Sequence, residues 1–396
     1  MMRMFGSVPR DAMRVVLGAS PLAVCLGFYQ VAIAVFLPLE GVSVTELGVL
    51  LTTSGLTTVV FSIPFAVLSD RYGRKSIMWV GASLATLISA VPGFTTNFLA
   101  LEASAIIGGI GEAMYLATWN AYIADSTTEE TRAATFSLSF MTFTIASGIG
   151  SAIPGIFPLL PLTLDVAHRT FFIALGVLSL LTPISVIKWA TSMKPESSHQ
   201  GVLPRKSLRV IAKFSTANLM IGLGAGLIIP LIPTWFYLRF NATDVFSGPL
   251  IAASNIVMGL AAAFSPRVSK RFGLVRGIVL TQLLSTVFLV AMPFSPSAEI
   301  AASLYVVRAT LMNMSSPLSD TFIMNLIAED ERATASSFNA VIWRLPNAGS
   351  TVVGGSLLNS GSLDLPFYLC AVLYLTSISL FYALFRGVDK TAIGQL

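Results

Sequence analysis

The stretch Leu68-Ser69-Asp70-Arg71-Tyr72-Gly73-Arg74-Lys75 lies between two long apolar runs. Two hundred residues later, Val268-Ser269-Lys270-Arg271-Phe272-Gly273 also lies between apolar runs. Serine, arginine, an aromatic residue and glycine recur at the same offset. A charged turn that occurs twice between segments long enough to cross a bilayer indicates a duplicated membrane protein.

The composition supports a membrane protein. Hydrophobic residues make up 55% of the 396 residues and charged residues only 11%, whereas a soluble domain carries roughly 25% charged residues. The net charge of +5 is read as an excess of cytoplasmic Lys and Arg, so no nucleic-acid partner is expected. No phosphate-binding loop, metal-ligand cluster or catalytic constellation is recognisable, so we expect neither cofactor nor metal nor enzymatic activity.

Twelve apolar runs approach the roughly 20 residues that a helix needs to cross the hydrocarbon core. The predicted fold is therefore an all-α membrane protein with twelve transmembrane helices in two pseudo-symmetric six-helix bundles. The runs lie near residues 15–38, 47–68, 76–95, 98–124, 133–157, 170–190, 211–236, 246–265, 275–295, 299–326, 334–357 and 365–385.

The basic residues predict the orientation of the chain. With these twelve runs, 20 of the 24 Lys and Arg residues fall on one side of the membrane. By the positive-inside rule, both termini are cytoplasmic. A Pro- and Ser-containing stretch at 191–209 is the longest cytoplasmic connection and is interpreted as a linker. It separates an N-terminal bundle, 1–190, from a C-terminal bundle, 210–396.

The halves keep the same register beyond the charged turn. Gly48 and Ser54 correspond to Gly248 and Ser254, and further pairs at the same spacing are Asn120 with Asp320 and Arg132 with Arg332. With its six-plus-six helices and its Asp-Arg-x-Gly-Arg-Lys turn, the whole chain resembles the major facilitator superfamily. It departs from that pattern at Ala66, where the family usually has glycine.

The resemblance implies a secondary active transporter of the cell membrane that moves a small solute by alternating access. It also implies that the charged turn closes the cytoplasmic side while the binding site faces outward. We expect a latch of Asp70, Arg74 and Asp125, the last residue at the end of helix four. The alternative is that the basic residues are only topology signals. The predicted gating set is Asp70, Arg71, Gly73, Arg74, Lys75, Asp125, Arg271 and Gly273.

Ionisable residues inside the predicted membrane helices are costly and are expected to face a cavity or one another. Glu112, in helix four, is the candidate for proton coupling, and its alternative role is a fixed counter-ion to an arginine. Arg308 and Arg344 are candidates to receive an anionic or zwitterionic substrate. The alternative is that these arginines pair with Asp320 and Glu112 and only order the helix packing.

Other polar and aromatic side chains complete the predicted substrate site, although each could instead be a helix–helix contact. The candidates are Tyr29, Gln30, Trp119, Asn120, Asn218, Arg308, Asn313, Asp320, Asn339, Trp343 and Arg344. His168 and His199 are both placed in connecting segments, so no intramembrane histidine is expected.

Two family features refine the expected activity. The conserved arginine of helix four would fall near Ala105 and is missing, whereas Gly148, Gly150, Pro154 and Gly155 are similar to the glycine–proline motif of drug antiporters. The missing arginine departs from the family's usual proton-relay pattern, and the glycine–proline residues favour an exporter. We expect a proton-coupled transporter that exports drugs or organic anions, and we expect it to be a monomer. A transport-inactive sensor or scaffold on the same fold is the alternative.

Overall fold

A computed structural model describes residues 8–191, 207–262, 265–327 and 332–387. The side chains of Asp70, of residues 332–340 and of a few others lie outside this description. The predicted roles of the Asp70 and Asn339 side chains therefore concern atoms outside the described part of the chain. Within the described ranges the secondary structure is helical, with no strand.

The described residues of the first half of the chain form eight helices. They are α1 (Arg10–Gly18), α2 (Ser20–Leu39), α3 (Val44–Tyr72), α4 (Arg74–Ala90), α5 (Phe98–Asp125), α6 (Glu129–Ala152), α7 (Leu164–Ser179) and α8 (Leu181–Trp189). Short 3-10 turns at Val91–Gly93 and Ile153–Leu159 follow α4 and α6.

The second half, over its described residues, also forms eight helices. They are α9 (Leu208–Ile228), α10 (Ile232–Phe240), α11 (Asp244–Ala262), α12 (Ser265–Phe272), α13 (Leu274–Ala291), α14 (Ala298–Leu326), α15 (Arg332–Asn359) and α16 (Leu365–Phe385). Further 3-10 turns lie at Ile229–Leu231 and Met292–Phe294. Pro230 and Pro233 are accommodated where α9 passes through the first of these turns into α10.

The described helices include nine segments long and apolar enough to cross a membrane. Three more polar or shorter segments, α11, α14 and α15, occupy the remaining predicted positions, with 19, 29 and 28 residues. The arrangement agrees with the predicted twelve-helix fold. The sixth segment begins at Leu164, six residues before its predicted start near 170. His168 therefore lies inside a helix, and its predicted place in a connecting segment was wrong.

The two charged turns have the same backbone geometry. Gly73 ends α3 and begins α4 with φ +91°, and Gly273 separates α12 from α13 with φ +80°. Each glycine donates its N–H to a serine four residues earlier, Ser69 at 3.0 Å and Ser269 at 2.9 Å. Such positive φ angles with extended ψ are essentially restricted to glycine, which explains why glycine recurs in both copies of the turn.

The chain divides into two compact units. The first unit contains Met1–Ser198 with Thr243–Ala252, and the second contains His199–Ala242 with Ala253–Leu396. The division between bundles at residues 191–209 stays a prediction. Within the first unit α2 packs against α6, and within the second unit α9 packs against α15 and α16.

Glycine allows both of these helix crossings to be close. A Cβ on Gly150 of α6 would lie 1.9 Å from the carbonyl oxygen of Val24. In the second unit, a Cβ on Gly354 would lie 1.9 Å from the carbonyl oxygen of Leu227. Small residues permit helices in membranes to approach so closely that backbones touch. The two crossings therefore show the internal duplication in the packing as well as in the sequence.

Candidate functional site

The second unit contains a cavity of about 420 Å³ among helices α9, α13, α14, α15 and α16. This volume lies within the range of small-molecule sites, roughly 300–1,000 Å³. Six residues predicted to bind substrate line it: Asn218, Arg308, Asn313, Asp320, Trp343 and Arg344. The structure therefore brings together the described candidates of the second half.

Arg308 is the buried cation of this cavity, with only 4% of its surface exposed. Its Nη2 donates a hydrogen bond to the Tyr374 hydroxyl at 2.9 Å, and its guanidinium lies 5.8 Å from the centre of the Tyr374 ring. Its Nε is buried without a hydrogen-bond partner among the described residues. The backbone is fixed too, because Ser285 donates to the Arg308 carbonyl at 2.9 Å. The guanidinium fork is thus held in place and incompletely satisfied.

Asp320 does not neutralise Arg308, although both line the cavity from α14. No ion pair between them occurs in the described part of the second unit. Twelve residues of helix separate them by about 18 Å along the axis. The alternative in which Arg308 pairs with Asp320 was therefore wrong, and helix geometry gives the reason.

Polar and aromatic side chains surround these charges. Trp343 is 38% exposed and offers an aromatic surface next to Arg344. Asn313 donates to the Ala309 carbonyl at 2.9 Å and also contacts Met258. Gln282, Tyr374 and three serines add to the polar lining, and none of them was predicted from the sequence; the serines are Ser315, Ser316 and Ser319. The side chain of Asn339 lies outside the described residues.

The first unit contains a separate polar cluster around Tyr29, whose surface is 7% exposed. Both Glu102 and Glu112 of α5 lie close enough to Tyr29 to act on it electrostatically. Glu112 is half-buried and has an interaction partner. Glu102 was missed by the sequence reasoning. It hydrogen-bonds with Thr53, and its Oε1 is buried without a partner among the described residues.

The other candidates of the first unit differ in their surroundings. Trp119 stacks on Tyr115 with ring centres 5.3 Å apart, and its Nε1 donates to Ser139 on α6 at 2.9 Å. Because its only polar group is already satisfied, Trp119 connects α5 to α6 in this structure. Gln30 and Asn120 are exposed.

The charged turn forms part of the predicted latch. Arg74 Nε donates to Asp125 at 2.9 Å, with side-chain exposures of 12% and 30%. Arg74 Nη1 also donates to the fully buried Ser69 at 3.0 Å. Arg71 lies over the ring of Tyr72 at 5.7 Å, and in the second copy Arg271 lies over Phe272 at 5.4 Å. Lys75 is half-buried in the first turn of α4.

The helical topology and a solute-sized cavity with a buried, incompletely paired guanidinium define a multi-pass membrane transporter. The family model of the Major Facilitator Superfamily matches residues 17–216 and 214–395. The chain belongs to this superfamily, as its charged turn and twelve helices predicted.

Individual relatives and structures resemble the chain along most of its length. The chain is 25% identical to multidrug resistance protein 1 of Bacillus subtilis over 369 residues, which cover 88% of the chain and 91% of the relative. It is 23% identical to the quinolone resistance protein NorA of Staphylococcus aureus over 353 residues, covering 87% and 88%. A crystal structure of the nucleoside transporter NupG matches with a TM-score of 0.78 at 11% identity, covering 96% of the chain and all of that structure.

Proposed function

We propose that this transporter is a secondary active carrier of the cell membrane that moves a small organic solute with an anionic group by alternating access. The observation that supports this most is the Arg308 guanidinium, which is buried beside a 420 Å³ cavity and forms no ion pair with a carboxylate among the described residues. A guanidinium presents a planar donor fork that matches a carboxylate or phosphate. A solute anion would supply hydrogen-bond acceptors for the guanidinium N–H groups that have no partner among the described residues.

The rest of the cavity narrows the substrate class to aromatic anions and zwitterions. Trp343 offers a ring face for stacking, and Arg344 adds a second cation near it. Asp320 lies toward the other end of the cavity and remains available for a basic group on the solute. The resistance proteins among the relatives are consistent with export of such compounds.

Proton coupling is assigned to Glu112 in the same proposal. Its carboxyl lies near Tyr29 in the interior of the first unit, and a carboxyl at membrane depth can change charge while the carrier changes conformation. The coupling ion is H⁺. Two bundles, 1–190 and 210–396, would alternate around the solute, with both termini cytoplasmic and the protein acting as a monomer.

The charged turn would control the cytoplasmic side. The Arg74–Asp125 contact ties the start of α4 to the end of α5 in the first unit. The second copy has Lys270 and Leu274 where the first has Asp70 and Arg74, so it lacks the equivalent of this pair. We expect the first copy to be the stronger gate.

Transport by purified protein in liposomes tests this function. The experiment measures uptake of a panel of aromatic carboxylates with and without an imposed pH gradient. Gradient-driven flux of at least one carboxylate is the expected result. If binding occurs without any flux across the panel, the chain is instead a transport-inactive sensor or scaffold, and the proposal is refuted.

A further inference from the structure

A buried histidine–aspartate pair lies in the first unit, outside both groups of predicted site residues. His168 is in the second turn of α7, and Asp244 is the first residue of α11. The two side chains are fully buried, with 0% exposure, and His168 Nε2 lies 2.6 Å from Asp244 Oδ2. The pair therefore connects two helices that are distant in sequence.

The hydrogen bonds of the imidazole determine how many protons the pair holds. His168 Nδ1 lies 2.8 Å from the carbonyl oxygen of Leu164. A carbonyl oxygen can only accept, so Nδ1 carries a hydrogen. A neutral ring would then present a lone pair at Nε2. Because a carboxylate also presents lone pairs, the 2.6 Å contact requires a second proton between Nε2 and Oδ2.

The surroundings of the pair disfavour any state without this proton. The rings of Phe36, Phe157 and Phe172 surround the imidazole, with centres 5.0 to 6.5 Å away. Asp244 Oδ1 is buried and has no hydrogen-bond partner among the described residues. An ionised carboxylate with one unsatisfied oxygen and no cation beside it is costly in an apolar interior.

The neighbouring charged groups are engaged with one another. Arg169, the next residue of α7, forms an ion pair with Glu40 at the end of α2 and another with Asp165 on its own helix. Arg169 also lies over the Phe36 ring, 5.3 Å from its centre. Among the described residues, Arg169, Glu40 and Asp165 are the charged groups near this end of α7 on it and on α2. The proton shared with His168 therefore balances the Asp244 carboxyl group.

We propose that His168 and Asp244 form a proton-binding site that fastens the N-terminal end of α11 to α7. The site holds one proton, present either as imidazolium beside carboxylate or as carboxylic acid beside neutral imidazole. Release of that proton to solvent leaves a carboxylate facing the Nε2 lone pair, and this repulsion separates the two helix ends. The site is distinct from Glu112 and does not depend on the proposed solute or its transport.

The position of the pair explains what the site would control. The α2–α3 and α4–α5 connections lie at the same end of these antiparallel helices as the start of α7. The charged turn at Gly73 lies at the opposite end. The Arg74–Asp125 contact therefore lies at one end of the first unit, and the proposed proton-dependent contact lies at the other end.

The proton can be observed directly by ¹⁵N NMR of histidine-labelled protein in lipid nanodiscs. The chain has two histidines, so His199→Asn leaves His168 as the only imidazole signal. At neutral pH we expect Nδ1 to be protonated and Nε2 to share a proton with Asp244. Asp244→Asn should abolish the shared proton, whereas Asp165→Asn, which changes an exposed carboxylate on α7, should leave it in place. An Nε2 without a bound or shared proton in the otherwise unchanged protein would overturn the proposal.

Helix separation is tested by hydrogen–deuterium exchange of residues 244–252 in the same nanodiscs. His168→Gln retains a donor for Asp244 but cannot release a proton. At each pH the exchange rate of the wild type is divided by the exchange rate of the variant, and this ratio removes the intrinsic pH dependence of amide exchange. This ratio should rise as the pH becomes alkaline. A ratio that is constant with pH would show that the proton does not hold the contact.

Discussion

Replacement of Arg308 by methionine distinguishes two roles of this residue, namely ligand binding and support of the local structure. A charge placed in a membrane protein interior costs at least about 2.5–3.5 kcal/mol. The hydrogen bond to Tyr374 returns about 1.5–3 kcal/mol, and the ring contact returns about 0.5–2 kcal/mol. Because these contributions nearly cancel, Arg308→Met should change the free energy of unfolding by less than about 2 kcal/mol in either direction.

The effect on anion binding should be much larger. Loss of a desolvated charge partner costs about 2–5 kcal/mol, which corresponds to a roughly 30-fold to several-thousand-fold loss of affinity. The assay is the melting temperature of the purified protein with and without an aromatic carboxylate from the transport panel. A ligand present at 100 times its Kd stabilises the folded state by about 2.7 kcal/mol. That stabilisation should be present in the wild type and should fall below about 1 kcal/mol in Arg308→Met, because a 30-fold or larger loss of affinity leaves the ligand at no more than about three times the Kd of the variant.

Tyr374→Phe is the matched control, because it removes the internal hydrogen bond of Arg308 and keeps the ring. This variant should still be stabilised by the carboxylate, since the guanidinium remains and has one more free donor. If Arg308 instead only supports Tyr374, the two variants should lose similar stability and both should keep ligand binding. That pattern would refute the assignment of Arg308 to the substrate.

Three further predictions concern packing, gating and coupling. Gly150→Ala should destabilise the protein by at least about 1–3 kcal/mol, measured by thermal unfolding, because its Cβ would lie 1.9 Å from the Val24 oxygen. Asp125→Asn should lower stability by less than about 1 kcal/mol yet increase alkylation of a reporter cysteine at the cytoplasmic end, because it weakens the contact with Arg74. Glu112→Gln should abolish gradient-driven uptake in liposomes and spare solute exchange, because exchange needs no net proton movement.

Each of these predictions has a control within the same helix or turn. Gly148→Ala adds a methyl group where nothing lies within 4 Å, so equal destabilisation by the two glycine variants would contradict the packing argument. Arg71→Gln removes a neighbouring charge that lies over Tyr72 and keeps the Arg74–Asp125 contact, so alkylation should increase less than in Asp125→Asn. Glu102→Gln changes the second carboxyl near Tyr29. If Glu112→Gln transported with full coupling, Glu112 would have no part in the mechanism.

Much of the fold could be predicted from the sequence, because helices that cross a membrane are long apolar runs and because basic residues concentrate in the cytoplasmic connections. The helix count and the repeated turn followed from runs of apolar residues and from Gly73 and Gly273. The start of the sixth helix was wrong because Asp165, His168 and Arg169 suggested a loop. In the structure Arg169 forms ion pairs with Asp165 and Glu40, and His168 lies against Asp244. Hydropathy cannot represent these contacts.

The residues of the candidate site were predicted better than the contacts between them. Arg308, Arg344 and Trp343 could be selected because polar residues are rare in membrane helices. The absence of an Arg308–Asp320 pair was also accessible in principle, since twelve helical residues separate them by about 18 Å. Tyr374 and Glu102 could not be selected in this way. Their roles depend on which helices are neighbours, and that information is not contained in the pattern of any one helix.

The central claim is that Arg308 receives the anionic group of a transported solute. The most direct test takes an aromatic carboxylate from the panel and compares its flux with the flux of its uncharged ester, in liposomes containing either wild-type protein or Arg308→Met. Wild-type protein should show gradient-driven flux of the carboxylate, and Arg308→Met should lose that flux. The substitution should not change the flux of the ester. Equal carboxylate flux through both proteins would contradict the account.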